Sequence, residues 1–321
     1  MNQVTSFIAL LFVFVTLNVQ ADYSQRSDVQ QFIDEMVEKH NFDRNDLELK
    51  FALAKKLDGV LEAIAKPAEK VLTWREYRPI FVTSKRIRRG NEFLRLHHDI
   101  LKRAEKKYGV PAEIITAIIG VETYYGRLSG KTQVFNSLVT LGFDYPPRSP
   151  FFLSELEQFL LLTREEDIDV SVVRGSYAGA MGMPQFISSS YREYAVDFDG
   201  DGKRDLWNST ADVIGSVANY FKVHGWKNGG QVVVPARVDG QIEETRNKLK
   251  PHTSIADLAK KGVVPKVAVD NDAKATVITL EGKRGKEYWL GLDNFYVITR
   301  YNHSAMYAMA VYQLSQKFDT N

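Results

Sequence analysis

Residues 111–126, PAEIITAIIGVETYYG, decide how the rest of the chain is interpreted. Proline suits the first turn of a helix, where its missing N–H would lack an intrahelical partner, and the apolar residues that follow leave almost no polar face. We therefore predict a short helix that is buried on most sides. Glu122 is the exception, since Ile118 lies one helical turn before it and Ile114 two turns before. Its carboxylate is predicted to point where the isoleucines point.

A carboxylate on such a helix has two interpretations. Burying an ionised carboxylate is costly, so Glu122 is either paired or protonated near neutral pH, the state that a general acid needs. Alternatively, it is a structural residue at a helix end, which pairs with Arg127 or reaches solvent past Gly126. Periodicity alone leaves both interpretations open.

The amino terminus predicts export. An apolar run at residues 7–19 is followed by small residues at the positions that precede a signal-peptidase site, which predicts cleavage after Ala21. A membrane span needs roughly 20 apolar residues, whereas this run is shorter and breaks at Thr16 and Asn18. The chain has no cysteine, which excludes disulfides, a thiol nucleophile and a lipid anchor attached through cysteine. We expect a signal peptide at 1–21 and a soluble, periplasmic mature protein without a transmembrane span.

The charge balance argues against a nucleic-acid partner. The 321 residues contain 42 Lys and Arg against 40 Asp and Glu, a formal net charge of +2 at pH 7. We interpret the short basic run at 85–89 as a solvated loop and not as a binding patch. The 15 Tyr, 18 Phe and 4 Trp are interpreted first as core residues, although their flat faces and polar edges also suit sugar rings.

Helical periodicity dominates the chain, and we predict a mainly α (α+β) fold. Short β-prone runs at 232–235, 267–269, 275–280 and 287–290, with one helix at 254–261 among them, predict a small strand-rich region.

Residues 197–208, DFDGDGKRDLWN, have the spacing of a calcium-binding loop. Acidic residues stand at positions 1, 3, 5 and 9, Gly202 stands at position 6 where the turn needs glycine, and helical sequence lies on both sides, as in an EF-hand. Position 12 is Asn208 instead of a bidentate glutamate, so we expect modest affinity. An acidic surface turn without metal is the alternative. The predicted ligands are Asp197, Asp199, Asp201, the Lys203 carbonyl, Asp205 and Asn208.

Four separated motifs carry a resemblance: GVETYYG, GSYAGAMGMPQF, DFDGDGKRDLW with SVANYF after it, and NFYVITRYNHS. In order and spacing they resemble the lytic murein transglycosylase B family over residues 70–315. The resemblance implies a lysozyme-like helical core, an additional α-helical region, a small β-rich subdomain and a groove for peptidoglycan glycan strands. Glu122 then matches the family's single catalytic acid/base. The same motif positions imply a substrate groove lined by Tyr77, Arg148, Ser176, Gln185, Phe186, Tyr301, Asn302 and Tyr307.

Two features depart from the family pattern. Pro147 stands where family members often have a second arginine beside the one that matches Arg148, which puts contacts to the stem peptide or the muramyl lactyl group in doubt. The chain also has no cysteine, so it resembles a soluble form of an enzyme that is often tethered by lipid.

The resemblance and the composition shifts together predict five segments. They are a signal peptide at 1–21, an N-terminal helical region at 22–75, a lysozyme-like core at 76–230 that contains the loop at 197–208, a β-rich subdomain at 231–292, and a C-terminal helix at 293–321 that returns to the core.

The resemblance implies one reaction. Glu122 would protonate the glycosidic oxygen between N-acetylmuramic acid and N-acetylglucosamine and then remove the proton of the muramyl 6-hydroxyl, which closes a 1,6-anhydro ring without water. Two alternatives remain open. One is a muramidase-type hydrolase in which Asp144 or another carboxylate activates water, and the other is a non-catalytic, calcium-stabilised protein that binds peptidoglycan. We expect a monomer with calcium for stability and no cofactor for the chemistry.

Overall fold

The computed structural model describes residues 22–65, 72–240 and 249–319. The predicted signal peptide, residues 1–21, lies outside the described residues. The chain separates into two units, one ending at Lys56 and the other beginning at Leu57. The five segments predicted from the sequence have different boundaries and stay a prediction.

From residue 22 onward, the first unit contains two α-helices, α1 (Ser27–His40) and α2 (Arg44–Ala52), preceded by a 3-10 turn at Tyr23–Gln25. Helix α1 ends where Asn41 adopts the left-handed conformation, with φ of 54°. Helix α2 begins after Asp43, whose carboxylate accepts the backbone N–H of Asp46 at 2.8 Å. Apolar residues at helical spacing form the inner faces, and the buried ones are Val29, Ile33, Met36, Leu47 and Phe51.

The second unit is mainly helical. Its helices are α3 (Asp58–Ala65), α4 (Trp74–Phe81), α5 (Ser84–Leu96), α6 (His98–Tyr108), α7 (Ala112–Thr123), α8 (Val134–Asp144), α9 (Ser149–Glu165), α10 (Ser188–Tyr194), α11 (Thr210–Val223), α12 (Ile255–Lys260), α13 (Asp293–Tyr301) and α14 (Ala305–Ser315).

Helix α7 is central to this unit, where it contacts α5, α6, α11 and α14. Every residue of α7 is buried except Glu113 and Glu122. A helix that is apolar on all sides can satisfy the hydrophobic effect only inside a bundle, so its neighbours surround it. The prediction of a mostly buried helix is confirmed.

Within the residues that the structure describes, seven short strands complete the second unit. They are β1 (Thr132–Gln133), β2 (Arg174–Gly175), β3 (Val233–Val238), β4 (Thr253–Ser254), β5 (Val263–Pro265), β6 (Lys274–Gly282) and β7 (Gly285–Gly291). Strands β1 and β2 pair with each other, and the other five form an antiparallel sheet in the order β4-β6-β7-β3-β5. The apolar cluster of this sheet includes Val234, Leu290 and, from α12, Ile255. The predicted fold class, mainly α with a small β region, is confirmed.

Two local predictions are wrong. The β-prone run at 267–269 is not a strand, and Val267 is 47% exposed. The strand is β5, which pairs with β3 up to Pro265, and the last backbone hydrogen bond between the two segments runs from the N–H of Lys266 to the carbonyl of Pro235 at 2.8 Å. The basic run at 85–89 is likewise not a loop but the first turns of α5. That helix begins there because the hydroxyl of Thr83 accepts the N–H of Arg86 at 3.1 Å.

Candidate active site

Glu122 lies in the last turn of α7, followed by an unusual turn of the main chain. Tyr124 and Tyr125 have φ of 54° and 61°, a left-handed conformation that bulky residues rarely adopt. The hydroxyl of Thr123 donates to the carbonyl of Met183 at 2.8 Å and accepts the N–H of Gly126 at 3.0 Å. These contacts fix the end of the helix, so the half-buried carboxylate of Glu122 has a defined position.

A phenol holds the carboxylate of Glu122. Tyr307, in the first turn of α14, donates its hydroxyl proton to Oε1 of Glu122 at 2.5 Å. Burial, and next the charge of Glu122, raise the pKa of the Tyr307 phenol well above its usual value, so this group remains a hydrogen-bond donor at neutral pH. Tyr307 itself is placed by Ser304, whose hydroxyl accepts its N–H at 3.3 Å. A short bond from a fixed donor orients the carboxylate.

Tyr301 forms an aromatic wall near this pair. Its hydroxyl donates to the carbonyl of Pro184 at 2.6 Å, and its ring lies 5.8 Å from that of Phe186 and 4.9 Å from that of Tyr220. Burial, followed by the charge of Glu122, raises the pKa of the Tyr301 phenol well above its usual value. The charge of Glu122 therefore acts on two buried phenols from α13 and α14.

The other predicted groove residues are held by local contacts. Tyr77, on α4, is buried beside Trp74 and Phe81, with ring centroids 6.4 and 5.0 Å away. The amide nitrogen of Gln185, a residue with φ of 54°, donates to the carbonyls of Ser129 at 3.1 Å and Gly182 at 3.0 Å.

Ser176, Asn302 and Arg148 complete the predicted set. The hydroxyl of Ser176 accepts the N–H groups of Ala178 and Ala180 at 3.3 and 3.0 Å, which shapes the turn of the glycine-rich segment. Asn302 is half-buried and immediately follows α13. Arg148 is exposed, and its guanidinium lies 4.4 Å from the ring centroid of Phe151.

The geometry thus joins some predicted residues and leaves others apart. Glu122, Tyr307, Tyr301 and Phe186 are joined by a hydrogen bond, ring contacts and shared electrostatics. Tyr77 also acts on the phenol of Tyr307, whose pKa it raises as the smallest of the named causes. Ser176, Gln185 and Arg148 are instead held by the local contacts described above, and Asn302 directly follows α13.

A backbone connection links this site to the acidic loop at 197–208. The N–H of Met183 donates to the carbonyl of Leu206 at 2.9 Å, and the carbonyl of Met183 accepts the hydroxyl of Thr123. Gly182, with φ of 68°, permits this approach, since a Cβ there would lie 2.4 Å from the Leu206 carbonyl oxygen. The loop therefore braces the segment that contacts the end of α7.

The acidic loop connects α10 to α11, as the sequence pattern requires, and several of its carboxylates accept hydrogen bonds from within the loop. Asp197 accepts the N–H groups of Gly200 at 2.7 Å and Gly202 at 2.8 Å, and these backbone bonds, that of Gly202 first, lower its pKa. Asp205 accepts the N–H of Asn208 at 2.9 Å and its side-chain amide at 2.9 Å. The side chains of two predicted ligands, Asp205 and Asn208, are thus hydrogen-bonded to each other.

Sequence reasoning missed Asp212. Its carboxylate is fully buried under the loop and lies with those of Asp197 and Asp199 in one group whose oxygens are within 4.8 Å of one another. It accepts the N–H groups of Phe198 at 2.7 Å and Asp205 at 2.9 Å, while burial raises its pKa. The spacing of Ser209 and Asp212 is typical of a helix cap, and the N–H of Asp212 does donate to the hydroxyl of Ser209 at 3.2 Å. The local sequence therefore does not indicate that the Asp212 carboxylate joins the acidic group.

The donor set fits a hard divalent cation. One oxygen from each of three carboxylates lies within 4.8 Å of the other two, and the buried carboxylate is costly to ionise without a compensating positive charge. Charged oxygens are the ligands that calcium prefers.

In the described part of the chain, no helix is both long enough and apolar enough to cross a membrane.

Among the other carboxylates near the helical core, Glu155 is buried and accepts hydrogen bonds from the N–H of Ser189 at 3.0 Å and from its hydroxyl at 2.6 Å. Asp144, considered as a possible base, is the last residue of α8.

Comparison with known proteins gives the class of protein to which this helical fold and its single phenol-held carboxylate belong: it is a transglycosylase. The chain belongs to the family described as the transglycosylase SLT domain, which matches residues 24–316. It is 46% identical over 309 residues to membrane-bound lytic murein transglycosylase B of Escherichia coli strain K12, covering 94% of this chain and 85% of that relative. The predicted resemblance to the lytic murein transglycosylase B family is confirmed.

Solved structures agree with this assignment. The fold of the chain is similar to that of the catenated lytic transglycosylase SltB1 of Pseudomonas aeruginosa, with a TM-score of 0.88 and 50% identity over 92% of this chain and 98% of that chain. It is also similar to the Escherichia coli lytic transglycosylase Slt35 in complex with calcium, with a TM-score of 0.85 and 47% identity over 93% of this chain and 94% of that chain.

Proposed function

We propose that this protein is a lytic murein transglycosylase that cleaves the β-1,4 bond between N-acetylmuramic acid and N-acetylglucosamine in peptidoglycan. The observation that carries the proposal is the position of Glu122, a half-buried carboxylate on an otherwise buried helix, whose Oε1 accepts a hydrogen bond from Tyr307. Membership of the transglycosylase SLT domain family supports the reaction class.

The reaction needs one proton donor that later becomes an acceptor. Protonated Glu122 gives its proton to the glycosidic oxygen as the bond from that oxygen to the muramyl anomeric carbon breaks. The muramyl 6-hydroxyl oxygen then bonds to the same carbon, and its proton passes to the Glu122 carboxylate. The product carries a 1,6-anhydro ring, Glu122 returns to its protonated state, and no water is consumed.

The surrounding residues supply orientation. The phenol of Tyr307 keeps the carboxylate aimed at one place, which matters because a general acid must lie within hydrogen-bond reach of the leaving oxygen. The ring of Tyr301, which is partly exposed, offers an apolar face to a sugar ring, and the buried ring of Phe186 packs beside it. We infer that the groove is completed by Tyr77, Arg148, Ser176, Gln185 and Asn302, and that Pro147, beside Arg148, reduces the charge available to a stem peptide.

We further propose that the loop at 197–208 binds calcium for stability. The predicted ligands Asp197, Asp199, Asp201, Lys203, Asp205 and Asn208 remain part of the proposal, and Asp212 is added to them. The buried carboxylate of Asp212 and the calcium complex of Slt35 support it. The bound ion would neutralise clustered carboxylates, and through Leu206 and Met183 the ordered loop would support the end of α7.

The remaining expectations concern the setting of the enzyme. We infer that residues 1–21 direct export to the periplasm, that the enzyme acts there as a monomer on glycan strands, and that the lysozyme-like core spans residues 76–230.

The first test is Glu122→Gln, with Glu113→Gln as the matched control on the same helix. Because an amide cannot exchange the catalytic proton, Glu122→Gln should lower turnover of purified sacculi by at least about 100-fold while the melting temperature changes little. Glu113→Gln should retain turnover, since Glu113 lies in the first turn of α7. Substantial activity in Glu122→Gln would contradict the proposal.

Product analysis distinguishes the alternatives. Mass spectrometry of the primary products should show muropeptides lighter by one water than those of a hydrolase, with 1,6-anhydromuramic ends. Free reducing ends as primary products would support the muramidase-type hydrolase. Glycan affinity without any turnover by the wild-type protein would support the non-catalytic, peptidoglycan-binding alternative.

A further inference from the structure

Arg86 is a half-buried cation behind the helix that carries Glu122. It lies in the first turn of α5, and its guanidinium donates from Nε to the carbonyl of Gly120 at 3.0 Å and from Nη1 to the carbonyl of Phe81 at 3.2 Å. Nη1 also donates to the carbonyl of Ile80. A planar guanidinium presents donors in a fixed fork, so three carbonyl oxygens are held in one arrangement.

These carbonyls belong to the ends of two different helices. Gly120 is in the last turn of α7, two residues before Glu122, while Ile80 and Phe81 are the last two residues of α4. Carbonyls in the last turn of a helix have no intrahelical N–H partner, so they need a donor from elsewhere. Arg86 supplies that donor to both helices at once, with the sign of charge that a helix C-terminus favours.

The main chain of Arg86 holds the turn that follows Glu122. Its carbonyl accepts the hydroxyl of Tyr125 at 2.9 Å, and its guanidinium lies 5.1 Å from the ring centroid of Tyr124. Both tyrosines have positive φ, which is unfavourable for a side chain and persists only when surrounding contacts enforce it. The Tyr125 ring also packs on Gly120, where a Cβ would lie 2.7 Å from it. Residues on both sides of Glu122 are thus attached to Arg86.

The two helices that Arg86 connects carry groups of the same site. Helix α4 carries Tyr77, helix α7 carries Glu122, and both groups act electrostatically on the phenol of Tyr307. A rotation of the end of α7 would change the position of Glu122 relative to that phenol, and a rotation of the end of α4 would move Tyr77. Arg86 contacts the main chain of α7 at Gly120, whereas Tyr307 contacts the carboxylate of Glu122 itself.

We propose that Arg86 is a positioning residue for the transglycosylase reaction: it fixes the end of α7 against α4 so that Glu122 keeps its hydrogen bond to Tyr307. This inference rests on the proposed role of Glu122 as the acid/base. Arg86 does not touch the substrate in this mechanism. Its effect is on the geometry of proton transfer, so it should influence kcat more than KM.

The test compares Arg86→Met, Arg86→Lys and Arg89→Met on soluble glycan strands, with all variants assayed well below their melting temperatures. Methionine keeps an apolar stem without donors, whereas lysine keeps the charge without the fork. Arg89 is the matched control, because it lies on the same helix 5.3 Å from the same Tyr124 ring. A misplacement of about 1 Å can cost about 100-fold, so we expect Arg86→Met to lower kcat about 10- to 100-fold with KM changed less than about threefold.

We expect the kcat of Arg86→Lys to fall between those of wild type and Arg86→Met, and the kcat of Arg89→Met to match that of wild type. If Arg86→Met does not fold, Arg86→Lys carries the test. A wild-type kcat in Arg86→Met, or in Arg86→Lys where only that variant folds, would overturn the proposal, even if the melting temperature falls. Equal losses of kcat in the Arg86 and Arg89 variants would also overturn it.

A double-mutant cycle with Tyr307→Phe separates positioning from general stability. If Arg86 and Tyr307 both act by holding Glu122, the combined loss of kcat should be clearly smaller than the product of the two single losses. Independent, multiplicative losses would overturn the proposal. Wild type and Glu122→Gln are measured in the same assay: an inactive wild type refutes the proposed function itself, whereas an active wild type with an unaffected Arg86 variant refutes this inference alone.

Discussion

Replacing Asp212 by asparagine tests whether the buried carboxylate under the acidic loop belongs to a calcium site. In Asp212→Asn the charge is lost and one carboxylate oxygen becomes an amide nitrogen. Because the two oxygens accept N–H groups from Phe198 and Asp205, one of these donors then faces another donor. Leaving a buried donor unsatisfied costs about 1–3 kcal/mol, and relief from burying a charge offsets part of that cost. Without calcium, we expect a loss of stability of about 1–2 kcal/mol.

Calcium should enlarge the difference between the two proteins. At a concentration about 100 times its Kd, an ion that binds only the folded state adds about 2.7 kcal/mol. With about 2 °C per kcal/mol for a unit of this size, calcium should raise the wild-type melting temperature by about 5 °C. The variant lacks one of the three clustered carboxylate charges, so we expect its calcium-induced rise in melting temperature to stay below about 2 °C.

The assay is thermal unfolding with calcium and with chelator, for wild type, Asp212→Asn and a control, Asp257→Asn. The control residue also follows a capping serine by three positions, and its N–H bonds to Ser254 at 3.1 Å, but it is exposed. Asp257→Asn should therefore keep the full calcium shift. If Asp212→Asn also keeps that shift, or if calcium leaves the wild type unchanged, the assignment of Asp212 to a calcium site is wrong.

Two further predictions concern the active site and the acid stability of the fold. Tyr307→Phe should fold normally and lower kcat about 10- to 100-fold, because the Glu122 carboxylate loses its fixed donor; an unchanged kcat on glycan strands would refute the role of the phenol. The carboxylate of Glu165 accepts a hydrogen bond from the guanidinium of Arg192 at 2.6 Å, and this bond is the largest cause that lowers the pKa of Glu165 below the usual 4.5. The stabilising contribution of ionised Glu165 is therefore present above pH 4.5 and is lost as pH falls through the lower folded-state pKa. The difference in melting temperature between wild type and Glu165→Gln should shrink in acid. A difference that stays constant with pH would contradict this prediction.

Periodicity in the sequence was sufficient to find the central helix and its exceptional residue. The apolar residues of α7 can be satisfied only by burial on all sides, and one carboxylate among them is conspicuous without any structure. The loop at 197–208 was equally visible, because a calcium-loop pattern is local and its glycine position is set by the turn. Four motifs in order were enough to place the chain in its family.

Tertiary structure decided which side chains meet. The phenol that holds Glu122 comes from a residue 185 positions away, and Asp212 enters the acidic group although its local sequence marks it as a helix cap. Arg86 belongs to a basic run that sequence alone places in solvent, yet packing turns its guanidinium onto the ends of two helices. The physical reason is that apolar spacing encodes which face of an element is buried, whereas hydrogen-bond partners between distant elements depend on how those elements pack.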